Sequence, residues 1–270
     1  MDETVKQIQQ CCLEIALDID RVCRANDIHY SLCGGSVIGM HLYGGFIPWD
    51  DDIDLMMTRK NYDRFLKLYP AQCGSRYHLR HYSTDGAENL PALFARVEDT
   101  QTRVEEEIAG ALRQGRIFVD ITVFDDIPFR PVHTLMRLYA GAVYTILYRK
   151  GGMVPGRKRW KKALLNVIPM PRTEEKTVRI YRRLENCCRR LVRTRKDGWK
   201  AELLSAAFSG ILYDASLFDH YRLADFEGHR LMVIRDYMDY LYTRYGRRTF
   251  SKEPPKEAIQ QMHIRKVEIL

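Results

Sequence analysis

The sequence predicts an α+β fold: a mixed β-sheet core with flanking helices and a helical, basic insertion. Three observations lead there. Val5, Ile8, Cys12, Ile15, Ile19 and Val22 recur at steps of three and four, which is one buried face of a long helix over residues 5–26. Residues 76–82 alternate in polarity and residues 117–124, IFVDITVF, form a short β-branched run, both of which are strand patterns. Residues 149–200 hold 18 Lys or Arg against 4 Asp or Glu, so the basic excess of a chain with net charge +8 is concentrated in one segment.

The remaining elements follow in order. Residues 28–33 read as a strand that delivers Gly34, Gly35 and Ser36 to a turn, and residues 36–42 as a short helix that Gly44 and Gly45 end. Residues 46–49 lead into an acid strand; Pro48 keeps Ile47 extended, and Trp49 either packs the strand entry or stacks on a base. A helix over residues 59–69 buries Tyr62, Phe65, Leu66 and Tyr69, with Arg59 at its start nearest the acids. After an Asp85-Gly86 turn comes a strand at 92–97, then 117–124, which Asp125, Asp126 and Pro128 close in a turn. Residues 132–149 form a mostly apolar helix, and residues 173–195 a basic amphipathic one with Val178, Tyr181, Leu184, Cys188 and Leu191 inward. Gly198-Trp199 breaks that pattern, and residues 212–227 return to strand and loop.

The chemistry concentrates in residues 32–55, LCGGSVIGMHLYGGFIPWDDDIDL. On a strand, Asp52 and Asp54 would project to one face while Ile53 and Leu55 point inward. Two carboxylates that close repel one another, and a divalent cation between them removes the conflict. Asp50 has the same parity and suits an outer position around such an ion. Upstream, Gly34, Gly35 and Ser36 open a helix whose first amides and dipole favour a phosphate. Asp120, alone among β-branched and aromatic neighbours, is costly to bury uncompensated and is the candidate third ligand. Arg96, ahead of a polar run containing Thr102, is a candidate phosphate contact. His78 and His81 lack ligand spacing and read as structural.

A small-Gly-Ser turn followed by Asp-apolar-Asp-apolar is the arrangement of the nucleotidyltransferase fold, and GGSVIGMHLYGGFIPWDDDIDLMMTRKNYDRF closely resembles the LicD family, which includes phosphocholine transferases and fukutin-related proteins. Phe226-Glu227, a helix ending in Tyr-Gly at 245–246 and Pro254-Pro255 extend the resemblance over nearly the whole chain; it is weakest at 130–210. The resemblance implies a catalytic core at 1–130, an insertion at 131–210 and C-terminal elements at 211–270 that complete the core. It also implies Mg2+ or Mn2+ on Asp52, Asp54 and Asp120, with Gly34, Gly35, Ser36, Arg59 and Arg96 binding the donor. The implied reaction moves a phospho-alcohol such as phosphocholine from a CDP-linked donor to a hydroxyl of a cell-surface glycan or lipid-linked glycan, such as lipopolysaccharide or teichoic acid. His263 is the counterpart of a basic, His-containing run in the family, and its role is open. Nucleotidyl transfer from an NTP uses the same metal pair; a nucleic-acid-binding protein with a degenerate site would keep the basic segment without needing the acids, and no nucleic-acid motif is present.

Composition narrows the setting. No run of eighteen apolar residues occurs, and MDETVKQIQQ lacks a basic stretch followed by an apolar one, so neither a membrane span nor a secretory leader is expected. Seven cysteines, with no CxxC or Cys/His ligand spacing, predict reduced thiols in a cytoplasmic protein. The apolar helix at 132–149, flanked by cations around Trp160, either packs on the catalytic half or lies at the inner face of an anionic membrane.

Overall fold

A computed structural model describes residues 3–86, 92–108, 111–150, 169–191, 198–204, 210–247 and 264–269. The expectations placed on Trp160, Pro254-Pro255 and His263 lie outside these. The α+β class holds, and the described residues fall into two compact units: 1–79 with 96–121 and 216–270, and 80–95 with 122–215.

In the first unit, α1 (Glu3–Ala25) buries all six residues of the expected stripe, together with Gln9, Leu13 and Asp20. Asp20 is tolerated there because Arg24 and the Tyr30 hydroxyl both donate to it at 2.8 Å. The strand after it is short. β1 (Ser31–Leu32) pairs antiparallel with β2 (Asp54–Thr58), in register Ser31 to Met56 and Leu32 to Leu55. Between them α2 (Gly34–Tyr43) runs out and ends on Gly44 at φ 74, the left-handed geometry a glycine best supplies. α3 (Arg59–Leu68) follows β2 directly and, with the turn after it, buries Tyr62, Phe65 and Tyr69. β3 (Tyr77–Arg80), β4 (Ala95–Asp99) and β7 (Phe118–Ile127) complete the strand order β1-β2-β7-β4-β3. Beside β3, Arg76 grips fully buried Asp99 at 2.9 and 2.6 Å and reaches Glu14 at 2.8 Å.

Among the strands not anticipated, three form a separate sheet. β5 (Thr102–Ile108) and β6 (Ala111–Gly115) form a hairpin, and β12 (Ile264–Ile269) adds to β5 antiparallel. Their sequences are rich in Glu, Arg and Lys, which weakens the alternation signal, and the β12 pairing joins segments far apart in the chain. A second hairpin, β10 (Tyr221–Phe226) and β11 (His229–Ile234), turns through Glu227 and Gly228 at φ 49 and 74, as two-residue hairpin loops require.

In the second unit, β7 continues through Asp125 and Asp126 to Ile127, where a turn was expected. β8 (Trp199–Glu202) supplies the reason: Lys200 is the register partner of Asp126 and forms an ion pair with it. β9 (Tyr213–Asp214) pairs with β8. α4 (Tyr82–Asp85) is a single turn capped by His81. α5 (Arg130–Lys150) and α6 (Glu174–Leu191) are the two long helices among the described residues of this unit. On α6, Tyr181, Leu184 and Cys188 are buried with Glu185, which accepts from the Tyr82 hydroxyl and pairs with Arg189 at 3.1 Å. α7 (Tyr237–Tyr245), back in the first unit, ends at Gly246. Among the described residues no helix is long and apolar enough to cross a membrane.

Candidate active site

The site grows from the junction of β1, α2 and β2. Gly34 opens α2 at φ +53, a conformation that costs a residue with a side chain. The Cys33 amide donates to the Asp54 carbonyl and the Asp54 amide to Ser36 Oγ, both at 2.9 Å, so the helix start and the strand start are fastened together. Cys33 gives the helix no side-chain cap. Fully buried Tyr240 of α7 does so instead: its hydroxyl accepts from the Gly34 amide at 3.0 Å and lies 3.2 Å from Cys33 Sγ. The Ser36 amide donates to the Cys33 carbonyl at 3.0 Å, so two of the three amides expected to face a phosphate are already engaged.

Carboxylates crowd this helix end. A Cβ on Gly34 would lie 3.7 Å from Asp54 Oδ2 and 3.5 Å from the Tyr245 hydroxyl, and one on Gly35 only 2.9 Å from Asp50 Oδ2. The positive end of the α2 dipole favours acids there. The loop that presents them is held from three sides. Gln9 Nε2 donates to the Asp50 and Ile47 carbonyls at 2.8 and 3.3 Å, and the Cys12 thiol points at the Asp51 and Phe118 carbonyls. Glu227 Oε1 accepts the Phe46 amide at 3.0 Å while the Glu227 amide donates to Gly44 O at 2.9 Å. A Cβ on Gly45 would fall 1.8 Å from that same Oε1, so the glycine is what admits the clasp. Trp49 meets Tyr43 edge to face at 6.1 Å, a packing role.

Asp50, Asp51 and Asp52 bring carboxylate oxygens within 4.8 Å of one another. Asp52 precedes β2 rather than lying on it, while Ile53 and Leu55 are fully buried as the alternation requires. Loss of solvent pushes the Asp52 carboxyl well above the usual range, and the charges of Asp54, Asp50, Asp51 and Asp120 push it further. A cluster this acidic fits a divalent cation: every donor is a hard carboxylate oxygen, the set that magnesium, manganese and calcium take. Burial, with the charges of Asp52 and Asp51 nearby, keeps the Cys12 thiol protonated, so the adjacent sulfur is not a competing ligand.

The structure brings together Gly34, Gly35, Ser36, Asp52, Asp54 and, through its charge on Asp52, Asp120. Asp120 has a partner that the sequence did not suggest. Arg96 Nε and Nη2 reach its two oxygens at 2.7 and 3.0 Å, and the guanidinium lies 3.3 Å from the centroid of the Phe118 ring. Asp120 is half-buried rather than buried, and its compensation is supplied in the first instance by this arginine. Arg59 is 1% exposed and packs on its own helix, 3.5 Å from Asp63 and over Tyr62. Tyr240, Gln9 and the glycine-clasping role of Glu227 were missed. Tyr-Gly and Phe-Glu in the C-terminal stretch were the available signals, and neither states which backbone group it would hold.

Comparison with known proteins agrees with the geometry. Residues 27–129 match the family model "LicD/FKTN/FKRP, nucleotidyltransferase domain". The chain is also 26% identical over 287 aligned positions, 99% of its own length and 98% of the relative's, to the lipopolysaccharide cholinephosphotransferase LicD of Haemophilus influenzae. Every acid of the cluster, together with Arg96 and the glycine turn, falls inside the matched stretch. The likeness to the LicD/FKTN/FKRP family of nucleotidyltransferase domains is thus carried by residues 27–129, which hold the whole acidic cluster.

Proposed function

We propose that this protein is a metal-dependent transferase that moves phosphocholine, or a similar phospho-alcohol, from a CDP-linked donor to a hydroxyl of a cell-surface glycan. The crowding of Asp50, Asp51, Asp52 and Asp54 beside the start of α2, with the charge of Asp120 also acting on Asp52, carries this reading. The near full-length likeness to a lipopolysaccharide cholinephosphotransferase supports the choice of transferred group and acceptor.

Asp52 and Asp54 would hold the cation, with Asp120 and Asp50 completing or bordering its shell. When bound, Mg2+ or Mn2+ supplies charge neutralisation for a diphosphate and for the oxygens of an in-line displacement. The chain's own contribution is position. Ser36 ties the helix start to Asp54, Tyr240 fixes the Gly34 turn, and Arg96 holds both oxygens of Asp120 in one orientation. The Gly35 amide and the positive end of the α2 dipole would orient a donor phosphate. Such positioning suits phosphoryl transfer, which asks little covalent help of a protein.

Incubation with CDP-choline, Mg2+ and lipopolysaccharide tests the reading. Release of CMP with transfer of phosphocholine, abolished by chelation and in Asp52→Ala and Asp54→Ala, is the expected result. Incorporation of a nucleotide from an NTP would replace it with nucleotidyl transfer, which uses the same acids.

A further inference from the structure

α5 is apolar on two sides, and only one of them is used. His133, Met136, Ala140, Val143, Tyr144, Ile146 and Leu147 face the interior of the second unit, where the Tyr144 hydroxyl donates to the Leu204 carbonyl at 2.5 Å. On another face Leu135 and Leu138 are 66% and 69% exposed, and Phe129, just before the helix, is 50% exposed. Helical spacing puts Pro131, Leu135 and Leu138 on one exposed stripe over the first half of α5, which half-buried Ala142 and buried Thr145 close. Packing the unit's core does not explain that stripe. Leucines in a row, two-thirds open to water, mark a surface that meets something apolar.

Charge selects the partner. Residues 129–150 contain no Asp or Glu, and five cations follow within residues 157–162. On α6, Arg179, Arg182, Arg183 and Arg190 are exposed while Glu185 is buried. A second copy of the chain would bring the same cations against these, and like charges oppose that contact. Nucleic acid would neutralise the arginines but leave the leucines in water. An anionic bilayer satisfies both, because its headgroups attract cations and its acyl boundary accepts a shallow apolar stripe.

We propose that the Leu135 and Leu138 face of α5 docks the second unit on an anionic membrane surface, as a peripheral contact. The contact does not depend on the transferase reading, because it involves none of the site residues.

Co-sedimentation of the full chain with vesicles of phosphatidylglycerol and phosphatidylcholine in equal parts tests it. The protein should pellet with these vesicles at low salt, less so with phosphatidylcholine alone, and be released as salt rises. Leu135→Gln/Leu138→Gln, which removes apolar area from exposed positions, should keep the far-ultraviolet spectrum and bind roughly tenfold more weakly. The proposal is overturned if the wild type stays in the supernatant at low salt or if the double variant binds equally well. It is also overturned if sedimentation velocity shows a dimer that the double variant dissolves, which would make the stripe a self-association surface.

Discussion

Arg96 and Asp120 form a two-point ion pair, at 2.7 and 3.0 Å, with both side chains largely shielded from solvent. The pair sits on neighbouring strands β4 and β7 and fixes a carboxylate whose charge adds to the upward push on Asp52. Arg96→Leu strands that carboxylate. It should lower stability by about 3 kcal/mol, as breaking a shielded pair does, whereas Arg96→Leu/Asp120→Asn should recover part of the loss. Urea unfolding of the two singles and the double measures this coupling, and additive losses would show that the pair does not act as a unit.

On the proposed function, Asp52 and Asp54 would serve activity and ion binding together. Asp52→Asn and Asp54→Asn should each reduce transfer by roughly a thousandfold or more while leaving the fold intact, since they remove repulsion rather than packing. Mg2+ or Mn2+ should raise the wild-type Tm by a few degrees, and by less in either variant, because an ion that binds only the folded state stabilises it by mass action. Differential scanning fluorimetry with and without chelator reads both effects; an equal shift in wild type and variants would remove these acids from the ion site.

Tyr240 has a different role, since it holds the helix start rather than a reacting group. Tyr240→Phe leaves the buried Gly34 amide without its hydroxyl acceptor, at a cost of about 1–2 kcal/mol. The expected kinetic signature is a rise in KM for the donor with a smaller change in kcat. A large kcat loss with unchanged KM would instead place the hydroxyl in the chemistry.

Gly45 and Glu227 are opposed across the clasp. Gly45→Ala forces a methyl group into the Glu227 carboxylate, displaces the loop leading to Asp50, and should cost about 1–3 kcal/mol with a parallel loss of activity. Glu227→Ala should cost less alone and should soften the effect of Gly45→Ala when the two are combined. Denaturation midpoints of the four proteins close this cycle.

How much of this was legible depended on the distance over which each signal acts. The α1 stripe, the Gly44 stop and the inward Ile53 and Leu55 were readable because helix and strand periods act within a few residues. The glycine turn and the acid run were readable for the same reason. The end of β7 was misread, since Asp125 and Asp126 look like turn formers until Lys200 is seen opposite Asp126. The cost of burying Asp120 was foreseen but its counterion was not, because β4 and β7 meet only in the folded sheet. Tyr240 and Glu227 were invisible as supports of the site for the same reason: their partners lie 206 and 181 residues away.

Those two separations bear on the chain's synthesis. The acids emerge from the ribosome early, whereas the hydroxyl that pins the Gly34 amide and the carboxylate that seats the Phe46 amide come nearly two hundred residues later. A nascent chain stalled shortly after β7 would carry every acidic residue of the cluster yet lack both anchors, so the supported arrangement should form only once Tyr240 has been made.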